Sequence, residues 1–343
     1  MPAVAPTGAV LSPTEDRDKQ RPTGRRADGI AWPGGCVAKS KDEKKNDDLA
    51  VLERVKRLAV MAMFSDDELL DELVLKGGNA MALIHKLTSR ESVDLDFSMR
   101  HDFPDGVEAM TARIGLALER TFPPAGFMPF DLKMAEKPAN ISPDMAGFWG
   151  GYAVEFKLVT HEQFAAHKDN LEQLRREALS IGQGKKFLID ISRFEYVADK
   201  EETDLEGYRI YVYSPTMIAC EKLRAICQQM AEYAPIVKRS DGRPGSQRAR
   251  DFLDIHTLVD RLALDLVAPK AVDMTREMFS LKHVPLDFLG KIVEQREFHR
   301  QGFPSVEATV APDFALQSFD FYFGYVVDLA ARVLAAAEAA EKG

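Results

Sequence analysis

Two aspartates separated by one residue are the first feature of this sequence that could do chemistry. The segment Val93–Phe97 alternates apolar and acidic side chains, so Asp94 and Asp96 share one face of a predicted strand. Neighbouring carboxylates repel each other unless a cation lies between them, and Mg²⁺ in proteins prefers carboxylates together with substrate phosphate oxygens. The pair therefore indicates a metal site for phosphoryl transfer, with a solvated acidic strand face as the alternative.

A glycine-rich turn lies shortly before this pair. Lys76, Gly77, Gly78 and Asn79 follow a short apolar strand and open a short predicted helix. Glycines let the backbone approach a ligand closely, and a helix N-terminus directs N–H groups toward an anion. Asn79 is a suitable N-cap residue whose side chain could also reach a phosphate. The turn beside the carboxylates suits a triphosphate, whereas the glycines alone fit a simple strand-to-helix turn.

Two predicted helices nearer the C-terminus carry charged residues beside apolar ones. Lys222 lies four residues from both Ile218 and Ile226, so it borders an apolar face and needs an anionic partner. Asp251 and Asp254 share one face of a later helix. The partner of Lys222 is either a bound anion or a nearby carboxylate. The two aspartates either serve a site or cap their helix and pair with nearby arginines.

Four segments, in this order along roughly residues 70–260, resemble the AbiEii/AbiGii toxin family of the polymerase-β-like nucleotidyltransferase superfamily. The family has a Thr or Ser after the two glycines of the turn, and here Asn79 takes that place. A motif of Arg, Ser and two Asp is matched residue for residue by Arg90, Ser92, Asp94 and Asp96. A Ser-Pro segment that includes Lys-Leu follows at 213–224, and an Asp-x-x-Asp motif follows at 248–258.

This resemblance implies a role for each matching residue. Asp94 and Asp96 are expected to hold Mg²⁺ or Mn²⁺, and Asp190 on a later strand is the candidate for a third carboxylate, as metal ligand or general base. Glu155 is the alternative to Asp190, and Asp251 is expected to act in catalysis. The triphosphate of an NTP is expected to contact Lys76, Gly77, Gly78, Asn79, Arg90 and Lys222.

The same resemblance implies an activity and a biological role. The protein is expected to move a nucleoside monophosphate from an NTP onto an acceptor, with tRNA or another RNA as that acceptor, and to release pyrophosphate. It is expected to be the toxin of a bacterial toxin–antitoxin or phage-defence pair with a cognate antitoxin. Two alternatives stay open. One is an inactive protein of the same fold that binds nucleotide or a partner, and the other is a transferase that modifies a small molecule or a protein.

The charge of the chain bears on that acceptor. The 343 residues carry a formal net charge of −9, which excludes a generally basic nucleic-acid-binding protein. Residues 222–250 are locally basic, and their later part predicts a mobile loop that contacts RNA phosphates or is simply solvated. The basic residues of this segment are Lys222, Arg224, Lys238, Arg239, Arg243, Arg248 and Arg250.

Cysteine usage and hydropathy predict a cytoplasmic protein. The chain has three cysteines and no Cys-x-x-Cys pair, which is typical of a reducing compartment. Cys220 and Cys227 lie in an apolar helical stretch and are predicted to be buried thiols. The sequence has no apolar run of about 18 residues and no apolar N-terminal segment, so we expect neither a transmembrane helix nor a signal peptide.

The elements that must position these residues follow from periodicity. Strands are predicted over 73–75, 93–98, 127–134, 152–159, 186–191 and 208–213. Helices are predicted over 48–64, 79–85, 105–122, 162–179 and, after Pro215, in a run that ends with 319–341. The predicted class is α+β. Residues 1–41 form a disordered tail, 42–214 a nucleotidyltransferase lobe with a mixed sheet, and 215–343 an all-helical lobe that completes the cleft.

Overall fold

A mixed seven-stranded sheet frames the computed structural model, which describes residues 41–87, 94–180, 184–238, 243–311 and 314–342. The strands are β1 (Val74–Lys76), β2 (Leu95–Ser98), β3 (Phe127–Lys137), β4 (Gly151–Thr160), β5 (Phe187–Ser192), β6 (Glu201–Leu205) and β7 (Tyr208–Val212). Their order across the sheet is β3-β4-β5-β2-β1-β7-β6. The β2–β5 and β1–β7 pairs are parallel, and the other neighbouring pairs are antiparallel.

Helices precede, flank and follow the sheet. Those before and between the strands are α1 (Lys41–Met63), α2 (Asp67–Glu72), α3 (Gly77–Asn79, continued by a π-helical turn at Ala80–Ile84), α4 (Gly106–Thr121), α5 (His161–His167) and α6 (Leu171–Glu177). Those after the sheet are α7 (Pro215–Cys227), α8 (Ala249–Leu262), α9 (Pro269–Leu281), α10 (Phe288–Lys291), α11 (Arg296–Arg300), α12 (Phe303–Glu307) and α13 (Phe319–Lys342). Single 3-10 turns lie at Pro123–Ala125, Ala231–Tyr233 and Ile292–Gln295.

Apolar side chains of the central strands are buried in the core, and this anchors the strand ends that carry charged residues. Leu75 on β1, Leu95 and Phe97 on β2, and Ile189 on β5 are all fully buried. Helix α1 packs against α4, which packs against β3, while α7 packs against α8 and α9. Burial of this apolar surface stabilises one register of the central strands, so polar residues on them have fixed neighbours.

The predicted fold class is confirmed. All seven strands lie within residues 74–212, and the described residues from Pro215 onward contain helices and no strand, apart from an isolated bridge residue at Val310. Residues 39–343 form one compact unit, and the division at residue 214 stays a prediction. The predicted tail lies almost wholly outside the described residues. None of the described helices is both long enough and apolar enough to cross a membrane.

Three elements differ from the predictions. Strand β6 was not predicted, because its sequence Glu-Glu-Thr-Asp-Leu has no apolar alternation; it lies at the sheet edge and pairs with β7 alone. The predicted helix over 162–179 is two helices, since the first ends at His167 and the side chain of Asn170 accepts a hydrogen bond from the Gln173 backbone to cap α6. The predicted helix over 79–85 is the π-helical turn after α3.

Candidate active site

The register of three strands brings two of the predicted carboxylates together. Asp96 on β2 lies opposite Lys76 on β1 and beside Asp190 on β5. Asp94 precedes β2 and is exposed, whereas the sequence placed it inside the strand. Its carbonyl oxygen accepts a hydrogen bond from the side chain of Asn79, which holds the chain just before the strand begins. The paired aspartates therefore lie at the start of β2 rather than along it.

The glycine turn approaches Asp96 more closely than any other residue type could. Gly77 has a φ of +70°, and a Cβ built on it would lie 2.6 Å from Oδ2 of Asp96. Both the positive φ and the close approach require glycine at this position. The turn predicted to hold a phosphate is therefore in direct contact with the predicted metal ligand.

Asn79 has a different position from the predicted one. It is the last residue of α3 rather than its N-cap, which is Lys76, and its side chain is fully buried. Its amide nitrogen donates to the Asp94 carbonyl, and the residue lines neither of the two cavities described below. Asn79 directly precedes the π-helical turn at Ala80–Ile84, but its side chain makes no capping hydrogen bond there. Asn79 thus positions Asp94, and its predicted phosphate contact has no support from this placement.

A cavity of about 510 Å³ lies over the glycine turn. It is lined on one side by the turn and the start of β2, and on the other by α7, α8 and the segment before α8. Its main lining residues are Lys76, Gly77, Gly78, Asp94, Asp96, Glu221, Lys222, Gln247, Arg248, Arg250 and Asp251. We call this space the first cavity. It joins most of the predicted site residues from both parts of the chain.

Lys222 projects from α7 into a buried ion cluster with α8. Its Nζ lies 2.7 Å from Oδ1 of Asp251 and 2.8 Å from Oδ2 of Asp254. Asp251 also accepts a hydrogen bond from Nε of Arg248. The sequence left open whether a bound anion or a nearby carboxylate pairs with Lys222. In the structure, nearby carboxylates pair with it. Asp251 and Lys222 line the first cavity, whereas Asp254 lies behind them.

Asp190, the predicted third carboxylate, does not line the first cavity. It lines a second cavity on the other side of Asp96. Its two oxygens accept hydrogen bonds from Nζ of Lys137 at 2.9 and 2.8 Å. Glu155, the alternative candidate, pairs with Lys186 at 2.6 Å and lines neither cavity. The register with Asp96 thus favours Asp190 over Glu155. Arg90, predicted to bind nucleotide, lies outside the described residues.

The aspartates are arranged to accept a cation. Burial raises the pKa of Asp96 to about 6, and Asp190 and Glu221 add to this effect, while Lys76 and Lys222 oppose it. Although Asp94 is exposed, partial burial of its carboxylate also raises its pKa, and Asp190 again adds to the effect, while Lys137 and Arg250 oppose it. The described residues contain no cluster of three or more His, Cys, Asp or Glu positioned to hold a metal ion. Two hard carboxylate donors beside the turn that is predicted to bind phosphate nevertheless fit Mg²⁺, which usually binds one or two carboxylates and substrate phosphates.

A buried ion network beneath the site was not predicted. Glu195 is buried and lies 3.3 Å from Lys282 and 3.2 Å from Arg224. Burial alone would raise the pKa of Glu195, but the cations around it outweigh burial and lower it. Lys76 belongs to this network, since its Nζ lies 3.8 Å from both Glu195 and Glu221. No motif marks Glu195 or Lys282, because their partners come from distant parts of the chain.

This network and other ion pairs correct the predicted basic segment. Arg224 is buried and pairs with Glu195 and Glu221, so it cannot contact RNA at the surface. Lys238 pairs with Asp144. Residues 239–242 of the predicted mobile loop, Arg239 among them, lie outside the described residues. Besides Lys238, the described members of the segment with an exposed side chain are Arg243 and Arg250.

Comparison with known proteins finds one family match and several similar solved structures. The sequence matches the family described as nucleotidyl transferase AbiEii toxin, type IV toxin–antitoxin system, over residues 59–323. A comparison with curated proteins finds no match. The solved structure of JHP933 from Helicobacter pylori covers 86% of this chain and 95% of its own, with 16% identity and a TM-score of 0.43. The structure of MenT4, a nucleotidyltransferase toxin from Mycobacterium tuberculosis, covers 83% of this chain and 84% of its own, with 14% identity and a TM-score of 0.44.

The fold, with its mixed sheet and helical region, is that of a nucleotidyltransferase, and the protein is an enzyme of that class. More narrowly, the chain belongs to the AbiEii family of nucleotidyltransferase toxins, whose match covers most of its length. The family predicted from the four sequence segments is thereby confirmed.

Proposed function

We propose that this toxin transfers a nucleoside monophosphate from an NTP to the terminal hydroxyl of an RNA, with tRNA as the acceptor class, in a reaction that needs Mg²⁺. One observation carries the proposal. Asp96 lies between a glycine turn that can take a triphosphate and Asp190, which can take the proton of an acceptor. Such an arrangement places the reacting phosphorus against fixed charges, and positioning of this kind supplies most of the catalysis in phosphoryl transfer.

The first cavity is proposed to bind the triphosphate. Backbone N–H groups at Gly77 and Gly78 begin a helix and can donate to phosphate oxygens. Lys222 and Arg248 stand on the opposite wall as cations. Asp251 binds both of them, so it fixes the positions of two positive charges before the substrate arrives. Fixed charges of this kind stabilise the developing charge on the leaving pyrophosphate without reorganisation.

Asp94 and Asp96 are the residues proposed to hold Mg²⁺, with Asp190 as an additional ligand. When bound, the ion supplies Lewis acidity at the α-phosphate and neutralises charge on the leaving group. Gly77 keeps the carboxylate of Asp96 within reach of the phosphates by having no side chain. Asn79 supports Asp94 through its hydrogen bond to the backbone.

The proposed reaction is a single displacement. The oxygen of the acceptor hydroxyl forms a bond to the α-phosphorus as the bond from that phosphorus to the β-bridging oxygen breaks. The bonding pair leaves with pyrophosphate, and the hydroxyl proton passes to Asp190. Lys137 is bound to Asp190 and must shift to expose the oxygen that accepts the proton.

The transferase assay tests the chemistry directly. Purified protein is incubated with each α-labelled NTP, Mg²⁺ and total bacterial RNA, and we expect label in a band of tRNA size. Asp96→Asn should lower this labelling about 100-fold or more, because metal binding contributes several kcal/mol to phosphoryl transfer. Asp204→Asn is the matched control, since it makes the same change at an exposed position on the distant strand β6. Label in protein alone would redirect the acceptor, and no label in any fraction contradicts the proposal.

The toxin role is tested separately in cells. Induced expression of the protein without a partner should slow growth, and Asp94→Asn or Asp96→Asn should relieve the effect. A cognate antitoxin, the partner proposed from family membership, should restore growth when co-expressed. Normal growth with active wild-type enzyme would contradict the toxin role and leave the proposed chemistry intact.

A further inference from the structure

A second cavity, of about 340 Å³, adjoins the first. The wall residues that belong to both cavities are Lys76, Asp96, Glu221 and Arg248. The second cavity includes Asp190 and Trp149 but neither glycine of the turn, whereas the first includes both glycines but not Asp190. Asp96 therefore stands at the junction of two spaces with different chemistry.

The direction of the displacement distinguishes the two cavities. In phosphoryl transfer the attacking and leaving oxygens lie roughly in line on opposite sides of phosphorus. If pyrophosphate leaves into the first cavity, with its cations and glycine turn, the acceptor must approach from the other side of Asp96. That side is the second cavity, whose wall carries the carboxylate of Asp190.

Trp149 gives the second cavity a flat apolar wall. Its ring is half-buried and lies 6.0 Å from the ring of Tyr233. A Cβ on Gly151 would lie 2.0 Å from the Ile191 carbonyl oxygen, and Gly150 has a φ of +107°, so both residues after Trp149 require glycine. The close approach of Gly151 fixes the backbone beside Trp149 against the neighbouring strand. The half-buried indole therefore offers a flat surface on which an unpaired base can stack.

Polar groups around the indole suit a nucleotide better than a peptide. Lys137 is exposed beside Asp190 and can meet a backbone phosphate. Gln228 is held at both ends, since its oxygen accepts from Arg224 at 2.8 Å and its nitrogen donates to Tyr233 at 3.3 Å. A cation for a phosphate, a flat ring for a base and a carboxylate for a hydroxyl proton occur together in one space.

We propose that the second cavity binds the 3′-terminal nucleoside of an RNA acceptor, with its base stacked on Trp149 and its last phosphate beside Lys137. This assignment rests on the proposed function and specifies where and how that acceptor binds. It makes Trp149 a residue that determines acceptor binding. The NTP, which occupies the first cavity, should bind independently of it.

Tryptophan fluorescence provides a binding test that does not depend on activity. Trp32 and Trp149 are the two tryptophans of the chain, so Trp32→Phe leaves Trp149 as the single indole reporter. Titration with a five-residue oligoribonucleotide that has a free 3′-hydroxyl should give saturable quenching. The same oligonucleotide with a 3′-phosphate should bind at least about 10-fold more weakly, because its terminal charge meets Asp96 and Asp190.

Kinetics of matched variants test the same residue in the reaction. Trp149→Leu retains apolar volume without a stacking face, and it should raise KM for the oligoribonucleotide about 10-fold or more. Its KM for NTP should stay within about twofold of the wild-type value, because the leucine lies outside the first cavity. Trp149→Phe should recover most of the acceptor affinity, since it restores an aromatic face. A thermal melt of each variant separates these effects from a loss of folding.

The outcomes distinguish this assignment from the proposed function. Label transfer to RNA by the wild type, with no quenching of Trp149, would overturn the assignment of the second cavity alone. Quenching by RNA without label transfer would support the assignment and overturn the proposed reaction. Quenching by a hydroxyl-bearing peptide but not by RNA would overturn the RNA acceptor in both. If Trp149→Leu fails to fold, the Trp32→Phe titration and the Trp149→Phe kinetics still decide the question.

Discussion

At the scale of single residues, Gly77 determines how closely the glycine turn can approach Asp96. Gly77→Ala forces a side chain into a left-handed conformation and places its Cβ 2.6 Å from the Asp96 carboxylate. Asp96 must then move, so we expect transfer activity to fall about 10-fold or more, as for a misplaced catalytic group. Steady-state kinetics with labelled NTP measure this loss.

Gly126→Ala separates backbone strain from displacement of Asp96. Gly126 also has a positive φ, of +87°, but no atom lies within 4 Å of its would-be Cβ. This control should cost about 1 kcal/mol of stability, as alanine does in a left-handed conformation, with activity unchanged. Equal losses of activity in the two variants would show that strain alone, and not contact with Asp96, explains the effect.

A second prediction concerns His299, which is buried behind the site. Its Nδ1 accepts a hydrogen bond from the Arg248 backbone N–H at 3.0 Å, just before α8 begins. Burial lowers the pKa of His299 to about 4, and Arg248 adds to the effect while Asp251 opposes it. The folded state thus binds this proton more weakly than the unfolded state. The contribution of His299 to stability is complete above pH 6.5 and is lost as pH falls toward 4.

His299→Asn tests this linkage, because the amide oxygen can replace Nδ1 as acceptor but does not titrate. Between pH 7 and 4 the wild type should lose up to about 3 kcal/mol more stability than the variant. Urea denaturation at half-unit pH intervals measures the difference, in which contributions from other titrating groups cancel. Parallel profiles for the two proteins would show that His299 does not titrate between the folded and unfolded states.

Residue patterns predicted which charged groups line the first cavity better than they predicted the residues that support those groups. Asp96, Lys222 and Asp251, whose roles in catalysis stay predictions, were singled out because carboxylate and lysine spacing at a predicted strand or helix face carries a chemical signal. Asn79 was predicted to cap a helix, but its side chain makes no capping hydrogen bond at the π-helical turn that follows it and donates instead to the Asp94 carbonyl, a contact between separate segments that no local pattern encodes. Glu195 could not be predicted, because its ionised state depends on cations contributed by β1, by α7 and by Lys282, which follows α9.

At the scale of elements, one buried ion cluster joins α7 to α8. Lys222→Met leaves Asp254 without this cation in a position where its side chain is 2% exposed. Loss of one partner of a buried pair costs about 3 to 5 kcal/mol, so we expect that loss in the free energy of unfolding. Replacing Asp254 by Leu in the same chain should recover part of it, because the buried charge is removed as well. Both variants should lose transfer activity, since Lys222 faces the first cavity.

An exposed pair provides the control for this prediction. Lys270 pairs with Asp199, but its side chain is 78% exposed. Lys270→Met should therefore change stability by less than about 1 kcal/mol. Urea denaturation of the three variants gives the comparison. A loss in Lys222→Met no larger than that in Lys270→Met would show that the cluster does not hold the two helices together.

The bounds of helices and strands whose apolar residues recur at a regular spacing were predicted within a few residues. Elements without such a spacing were not predicted. The strands over 127–137 and 151–160 alternate apolar and polar residues, and both were found. Strand β6 was missed because its edge position needs no apolar face. The break at Asn170 was missed because an amide cap interrupts a segment whose composition otherwise suits a helix.

At the scale of the whole molecule, the net charge and the local charges oppose each other. The chain carries a formal charge of −9, which repels RNA at long range. Much of the positive charge that the sequence placed beside the site is internal, paired with Glu195, Glu221 and Asp251. No count of lysines and arginines along the sequence could reveal this, since burial depends on the assembled fold. The proposed binding of RNA would then depend on a few exposed cations.

The salt dependence of the reaction tests this conclusion. Arg243 is exposed, and the chain just after it is fixed by hydrogen bonds to Gln229, a residue of the second cavity. A footprint of about three phosphates predicts that log KM for RNA rises with log[NaCl] with a slope of about 2, at about 0.7 per single-strand contact. Arg243→Gln should reduce this slope by about 0.7 and raise KM at low salt.

Arg209→Gln, which removes the same charge from an exposed position on β7, should leave the slope unchanged. The KM for NTP at each salt concentration corrects for effects on the first substrate. A slope above about 5 in the wild type would instead indicate a wide basic surface, and equal slopes in wild type and Arg243→Gln would place the RNA backbone elsewhere.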